Sequence, residues 1–248
     1  MNRFTKKIIR YVYNLLPVSF QHSLLLKKRG LVNHLSYTDI LNHFKQFSFI
    51  QVGANDGVSF DTLFDYVSNK RFVKAGIVVE PIKEYFIELE KNYSSSPNIT
   101  CVNFALHPDL SEIYLHKVDQ TKMNDLPEWV KGIASIFEGH HTKLGIPNDC
   151  MVKEEVPCIS LQKLMDKFSP GNSHFNLLQI DTEGFDAEII KMIDFKTMQF
   201  DIIKFERVNL KEPDYTDVVK ILKTNNYYLI EEAEDTLAIK NSVRLTIK

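Results

Sequence analysis

The stretch Phe49-Ile50-Gln51-Val52-Gly53-Ala54-Asn55-Asp56-Gly57 ends a short apolar run in two glycines that flank small and polar residues. An amphipathic segment begins near Ser59, so the spacing predicts a strand, a tight turn and a helix start. In open α/β folds that junction lies at the carboxyl end of the first parallel strand, where nucleoside-containing ligands bind. The turn lacks the G-x-G-x-x-G pattern that lets a helix N-terminus approach a pyrophosphate. It therefore suits a ligand without phosphate and counts against NAD or FAD.

The flanking segments repeat the pattern. Residues 37–44 read as a helix leading into the first strand, and Phe60, Leu63, Phe64 and Val67 mark a helical face after it. Ala75-Gly76-Ile77-Val78-Val79 is a buried-strand run stopped by Glu80-Pro81, followed by a helix over 82–92 and a strand over 99–104. A β-α-β-α-β order of this kind predicts a parallel sheet with crossover helices. Regularity then lapses in an insertion of about 112–159, whose ends (112–118 and 151–159) read as two paired strands and whose middle (122–148) is punctuated by Gly and Pro. Such a segment is either a lid or substrate loop or a structural elaboration. Ser160 is placed to cap a helix over 161–168. The alternation resumes with a strand over 175–181, a helix over 185–192, a strand over 200–205 ending in Glu206, a helix over 215–225 and a terminal hairpin of 227–231 with 237–240.

Thirty basic and 32 acidic residues give a net charge of −2, so no general attraction for nucleic acid is implied. The distribution is uneven: residues 1–38 hold Arg3, Lys6, Lys7, Arg10, Lys27, Lys28 and Arg29 and no Asp or Glu. The expected organisation is a basic, apolar helical arm over 1–36 and one domain over 37–248. The apolar segment 8–26 is broken by Arg10, Asn14, Pro17, Gln21 and His22, which argues against a membrane span. The arm either packs on the domain or lies on an anionic membrane surface. Cys101, Cys150 and Cys158 form no C-x-x-C pair and leave one unpaired in any disulfide scheme, which favours a reducing, cytoplasmic setting, at the inner face of the membrane if the arm binds there. Nothing in the sequence fixes an oligomeric state.

Three predicted strand ends converge on one sheet edge. Glu80 is placed to accept two hydrogen bonds from a ribose diol, the alternative being a solvated or helix-capping carboxylate. Asn103, with Phe104-Ala105, could hold an adenine by an amide contact and an apolar wall. Gly53-Ala54-Asn55-Asp56-Gly57, Val79-Glu80-Pro81, Val156-Pro157-Cys158-Ile159-Ser160-Leu161 and Leu178-Gln179-Ile180-Asp181-Thr182-Glu183-Gly184 together resemble the motif set of the FkbM-type S-adenosylmethionine-dependent methyltransferases, from about Phe49 to Ile239. The resemblance implies a class I methyltransferase (Rossmann-like) fold: a seven-stranded sheet of order 3-2-1-4-5-7-6 with the last strand antiparallel and helices on both faces. It implies S-adenosyl-L-methionine as cofactor and O-methylation of a sugar or polyketide-type hydroxyl. By motif, Gly53, Asn55 and Gly57 would lie along the methionine part, Glu80 would hold the ribose, and Asn103 with Ala105 would flank the adenine. Asp56 and Pro81, in the same two turns, and Ser135, in Gly132-Ile133-Ala134-Ser135, are counted with the cofactor-binding set.

A sulfonium methyl is already activated, so the protein must align the reactants and exclude water. A sugar hydroxyl is a poor nucleophile near neutral pH and needs a base or a metal. Asp181 is the first candidate, with Glu183, Asp186 and Glu206 in reach of the same edge; Asp186 reads equally as a helix-start stabiliser and Glu183-Gly184 as a structural turn. One of His140 and His141, with His140 preferred, is a candidate substrate-facing base in the insertion, although adjacent loop histidines are ordinarily solvated. No H-E-x-x-H or zinc spacing occurs, and no metal is expected; a hard divalent cation, if used, would take Asp181, Glu183 and Glu206. The acceptor is expected to be a sugar in a glycan, glycolipid or glycosylated metabolite. A nucleotide-dependent oxidoreductase and a non-catalytic binding protein on the same sheet stay open as rival readings.

Overall fold

The computed structural model describes residues 37–59, 61–68 and 73–243. The arm expected over 1–36 and its membrane contact lie outside them. Helix α1 (Tyr37–Leu41) leads into strand β1 (Phe47–Val52), which is buried along its whole length because both sheet faces are covered. Helix α2 (Thr62–Ser68), β2 (Val73–Val79), α3 (Lys83–Asn92) and β3 (Ile99–Val102) complete the first half. Strand β4 (Ala105–Leu106) follows, and the insertion contributes β5 (Glu112–Val118), β6 (Ala134–Ser135) and β7 (Met151–Ile159). Helix α4 (Leu161–Phe168), with Ser160 accepting a hydrogen bond from the Lys163 N–H as its cap, leads to β8 (His174–Ile180) and α5 (Asp186–Lys191). Then come β9 (Gln199–Glu206), α6 (Glu212–Thr224) and the hairpin β10 (Tyr227–Glu231) with β11 (Asp235–Lys240).

The main sheet has the order β3-β2-β1-β8-β9-β11-β10. Neighbours from β3 to β9 pair parallel, and β11 runs antiparallel to both β9 and β10. Numbered within the sheet this is 3-2-1-4-5-7-6, the class I methyltransferase order. Alternation along β1 sends Phe47 and Phe49 to the layer that holds Leu63 and Phe86, and Ile50 and Val52 to the layer that holds Leu161 and Ile189. Two apolar layers therefore clamp the strands, fixing where their carboxyl ends stop.

The insertion is more ordered than its composition suggests. Strands β5 and β7 pair antiparallel over their length, β6 adds to β5, and β4 pairs parallel with β7, giving a second sheet of order β4-β7-β5-β6. Its apolar face, Ile113, Leu115 and Val156, packs on Ile82, Tyr85 and Ala105. Lys117, almost fully buried, reaches both Glu84 on α3 and Glu154 on β7. Residues 120–150 wind through short 3₁₀ turns around Val118, Val130, Ile133, Ile146 and Cys150. Among the described residues no helix is long and apolar enough to cross a membrane.

Candidate active site

Register builds the site. Val52 pairs with Val79 on one side and Ile180 on the other, Val79 with Val102, and Ile180 with Phe205. The next residue of each strand therefore falls in one row along the carboxyl edge: Asn103, Glu80, Gly53, Asp181 and Glu206. The row is closed by backbone contacts, with the Gly53 and Ala54 N–H groups donating to the Val79 carbonyl at 3.0 Å and Asp181 N–H to the Val52 carbonyl at 3.0 Å.

Gly53 has φ +78°, and a Cβ there would lie 1.7 Å from the Asp181 carbonyl oxygen. The first turn can thus approach the strand end of the second motif only as glycine. Asn55, itself at φ 50°, donates its N–H to Glu80 Oε2 at 2.8 Å and its side-chain amide to the Lys131 carbonyl at 2.9 Å. Glu80 Oε1 accepts from Ile82 N–H at 2.8 Å. Burial pushes the Glu80 carboxyl up to about 7 against the pull of those two N–H bonds, with Glu154 and Asp56 adding repulsion. Each Glu80 oxygen keeps a lone pair beyond these bonds.

Above this row lies an open cleft. Gly53, Asn55, Glu80, Pro81 and Ala105 line it, as do Asp181 and Glu183; Phe104, Leu106, Ile113, Leu115 and Ile136 give it apolar walls. Its charged lining residues are all acidic. Several expected residues support the cleft from behind. Asp56 is occupied by Ser59 and Val58, whose hydrogen bonds hold its carboxyl low despite burial. Gly57 faces Leu89 and Tyr93. Asn103 was expected against an adenine, but its amide is committed to the Glu80 and Pro81 carbonyls at 2.8 and 2.9 Å. Ser135 is buried and donates to the Glu183 carbonyl at 2.8 Å, leaving Ala134 and Ile136 to face the cleft.

On the opposite flank, Asp181 opens to solvent in the cleft and accepts no side-chain hydrogen bond from the described residues. Protein enclosing it on its other sides, then Asp186 and Glu183, push its pKa up to about 7. Glu183 is a non-glycine residue at φ 52°, held there by the Ser135 bond and by two contacts to Oε2: His140 Nε2 at 2.8 Å and Asn209 Nδ2 at 2.9 Å. Strain of this kind persists where the surroundings over-determine it. Glu206 lies outside the cleft lining and accepts from Asn209 Nδ2 at 2.8 Å; burial, Asp181 and Glu183 push it up to about 8. Asp186 is buried and accepts from Thr182 N–H, Thr182 Oγ1 and Glu206 N–H, so it ties the loop after β8 to the end of β9 and is not free in the cleft.

The expectation that the two histidines are solvated is overturned. Both are buried, His140 on Glu183 and His141 on Asn148 at 2.7 Å, because the 3₁₀ turn that carries them folds back over the Thr182-Glu183-Gly184 loop. Asn209, which no sequence pattern marked, joins Glu183 to Glu206. No group of His, Cys, Asp or Glu suited to a metal ion occurs among the described residues, so the set Asp181, Glu183 and Glu206 gains no support as a cation site.

The chain matches the Methyltransferase FkbM domain over residues 51–229. It belongs to the FkbM methyltransferase family. No curated protein matches it. Among solved structures, an FkbM methyltransferase from Methylobacillus flagellatus KT is 12% identical with a TM-score of 0.46, the match covering 85% of this chain and 46% of that one. The METTL16 MTase domain is 10% identical with a TM-score of 0.45, over 86% of this chain and 68% of that one. A Methanococcus jannaschii fibrillarin pre-rRNA processing protein is 11% identical with a TM-score of 0.41, over 80% and 68%. For this FkbM methyltransferase, family membership implies S-adenosylmethionine as methyl donor. The residues present fit it: a carboxylate with lone pairs to spare for a diol, apolar walls for a base, and acidic charge for a sulfonium.

Proposed function

We propose that this FkbM methyltransferase transfers the methyl group of S-adenosylmethionine to a hydroxyl oxygen, the acceptor being a sugar of a glycan, glycolipid or glycosylated metabolite. When bound, the cofactor supplies an electrophilic methyl on sulfur. Gly53, Asn55 and Glu80 would seat it, with Phe104 and Ala105 walling its base. The observation that carries the reading is Asp181: a carboxylate in the cleft, given no side-chain hydrogen bond by the described residues, whose pKa near 7 suits a general base at neutral pH. It would take the acceptor's proton while Glu183, clamped from behind by His140, accepts a second hydroxyl. The acidic lining disfavours phosphate-bearing acceptors and so nucleic acid.

Labelled S-adenosylmethionine and a pool of extracted glycans test this. Asp181→Asn should lower transfer about 10²- to 10⁴-fold while calorimetry still detects S-adenosylhomocysteine. Since the base must be ionised, wild-type transfer should fall as pH drops through about 7. Lack of S-adenosylhomocysteine binding by wild type would sink the cofactor assignment, and label recovered on nitrogen would sink the hydroxyl acceptor.

A further inference from the structure

The two N–H bonds of the Asn209 amide serve two different carboxylates, Glu183 Oε2 at 2.9 Å and Glu206 Oε2 at 2.8 Å. The fold goes to some length to bring Asn209 there. Gly184 has φ +104°, and a Cβ on it would lie 3.2 Å from the Asn209 carbonyl oxygen, so the glycine of the second motif lets the loop after β9 close on it. The same loop is tied down by Arg207. Its N–H donates to the Glu234 carbonyl at 2.9 Å, and its Nη2 to the carbonyls of Glu232 at 3.0 Å and Ala233 at 2.9 Å. Leu210 N–H closes the turn on the Arg207 carbonyl at 3.1 Å.

Asp181, Glu183 and Glu206 are like charges in one region, and like charges disfavour one another's ionisation. Lys204, two residues before Glu206 on β9, is ion-paired with Asp235 at 2.5 Å. We propose that Asn209 is a positioning residue: by donating to both carboxylates it holds Glu183 against His140 and keeps Glu206 from competing for the same imidazole. With Nε2 held 2.8 Å from a carboxylate oxygen, the neutral ring carries its proton on Nε2. Without the amide, Glu183 turns toward the open cleft and the ring loses its orienting acceptor. The inference rests on the reading of this cleft as a methyl-transfer site.

Histidine-selective ¹⁵N NMR of the full chain with S-adenosylhomocysteine reads it out, at alkaline pH where imidazole is ordinarily neutral. Wild type should give His140 as one Nε2–H tautomer. Asn209→Ala should convert it to a mixture of tautomers while S-adenosylhomocysteine binding, measured on the same samples, is still detected, since Asn209 does not itself line the cleft. Asn209→Asp keeps the shape and removes both donors but adds a like charge, whereas Asn209→Leu removes the donors without adding charge; both should lose the single tautomer, and a side chain that merely fills space would let the Leu variant behave as wild type. If Asn209→Ala does not fold, the Asp and Leu variants carry the test. A single Nε2–H tautomer retained in Asn209→Leu overturns the proposal. Failure of wild type to bind S-adenosylhomocysteine instead overturns the underlying functional reading, so the two failures are separable.

Discussion

Gly53 is where the two halves of the sheet edge touch, backbone on backbone, with no side chain to yield. Gly53→Ala should therefore destabilise by more than the ~3 kcal/mol that bounds most single substitutions, read as a loss of cooperative thermal unfolding. Glu80 is a different kind of constraint, since its two oxygens already satisfy the N–H groups of Asn55 and Ile82. Glu80→Gln sets an amide donor against one of these N–H groups and should cost about 1–3 kcal/mol in denaturant melts, together with weaker S-adenosylhomocysteine binding by calorimetry. Both residues were legible in the sequence because strand ends and turn glycines leave local marks. Asn209 was not: an amide in a coil carries no periodicity, and its role exists only because Gly184 and Arg207 bring its loop across.

Strands and helices of the sheet follow directly from hydrophobic runs bounded by Gly, Pro and capping residues, and Ser160 caps α4 as its position suggested. The ends of the insertion were legible as the pair β5 and β7, but the rest of the second sheet was not, because strands β4 and β6 are two residues each, too short to show alternation. A buried cation secures this element: Lys117 reaches carboxylates on both α3 and β7. Lys117→Met should leave Glu84 and Glu154 facing each other unneutralised. With Glu84 partly exposed, the cost is discounted to about 1–2 kcal/mol. Limited proteolysis should show faster cleavage within 120–150 than in wild type, ahead of any change in the main sheet. Equal cleavage would mean that the apolar face of the hairpin suffices by itself.

Across the whole molecule, carboxylates with raised pKa values dominate the carboxyl edge of the sheet: Glu80 and Asp181 near 7 and Glu206 near 8. In the unfolded chain the same groups titrate near ordinary carboxylate values. The folded protein therefore keeps protons that the unfolded chain has lost, and stability from these groups is present at low pH and lost as pH rises toward 8. Thermal melts from pH 5 to 9 should show a falling Tm, and the double variant Asp181→Asn with Glu206→Gln should flatten the slope. A Tm that climbs over this window would contradict the acidic edge described above. The match to the family domain ends at residue 229, yet Arg207 anchors its loop on the carbonyls of Glu232, Ala233 and Glu234. Trimming the chain to the matched span would thus remove strand β11 and the moorings of Asn209 together; in this protein the folding unit is bounded by hydrogen bonds that run past the end of the matched domain.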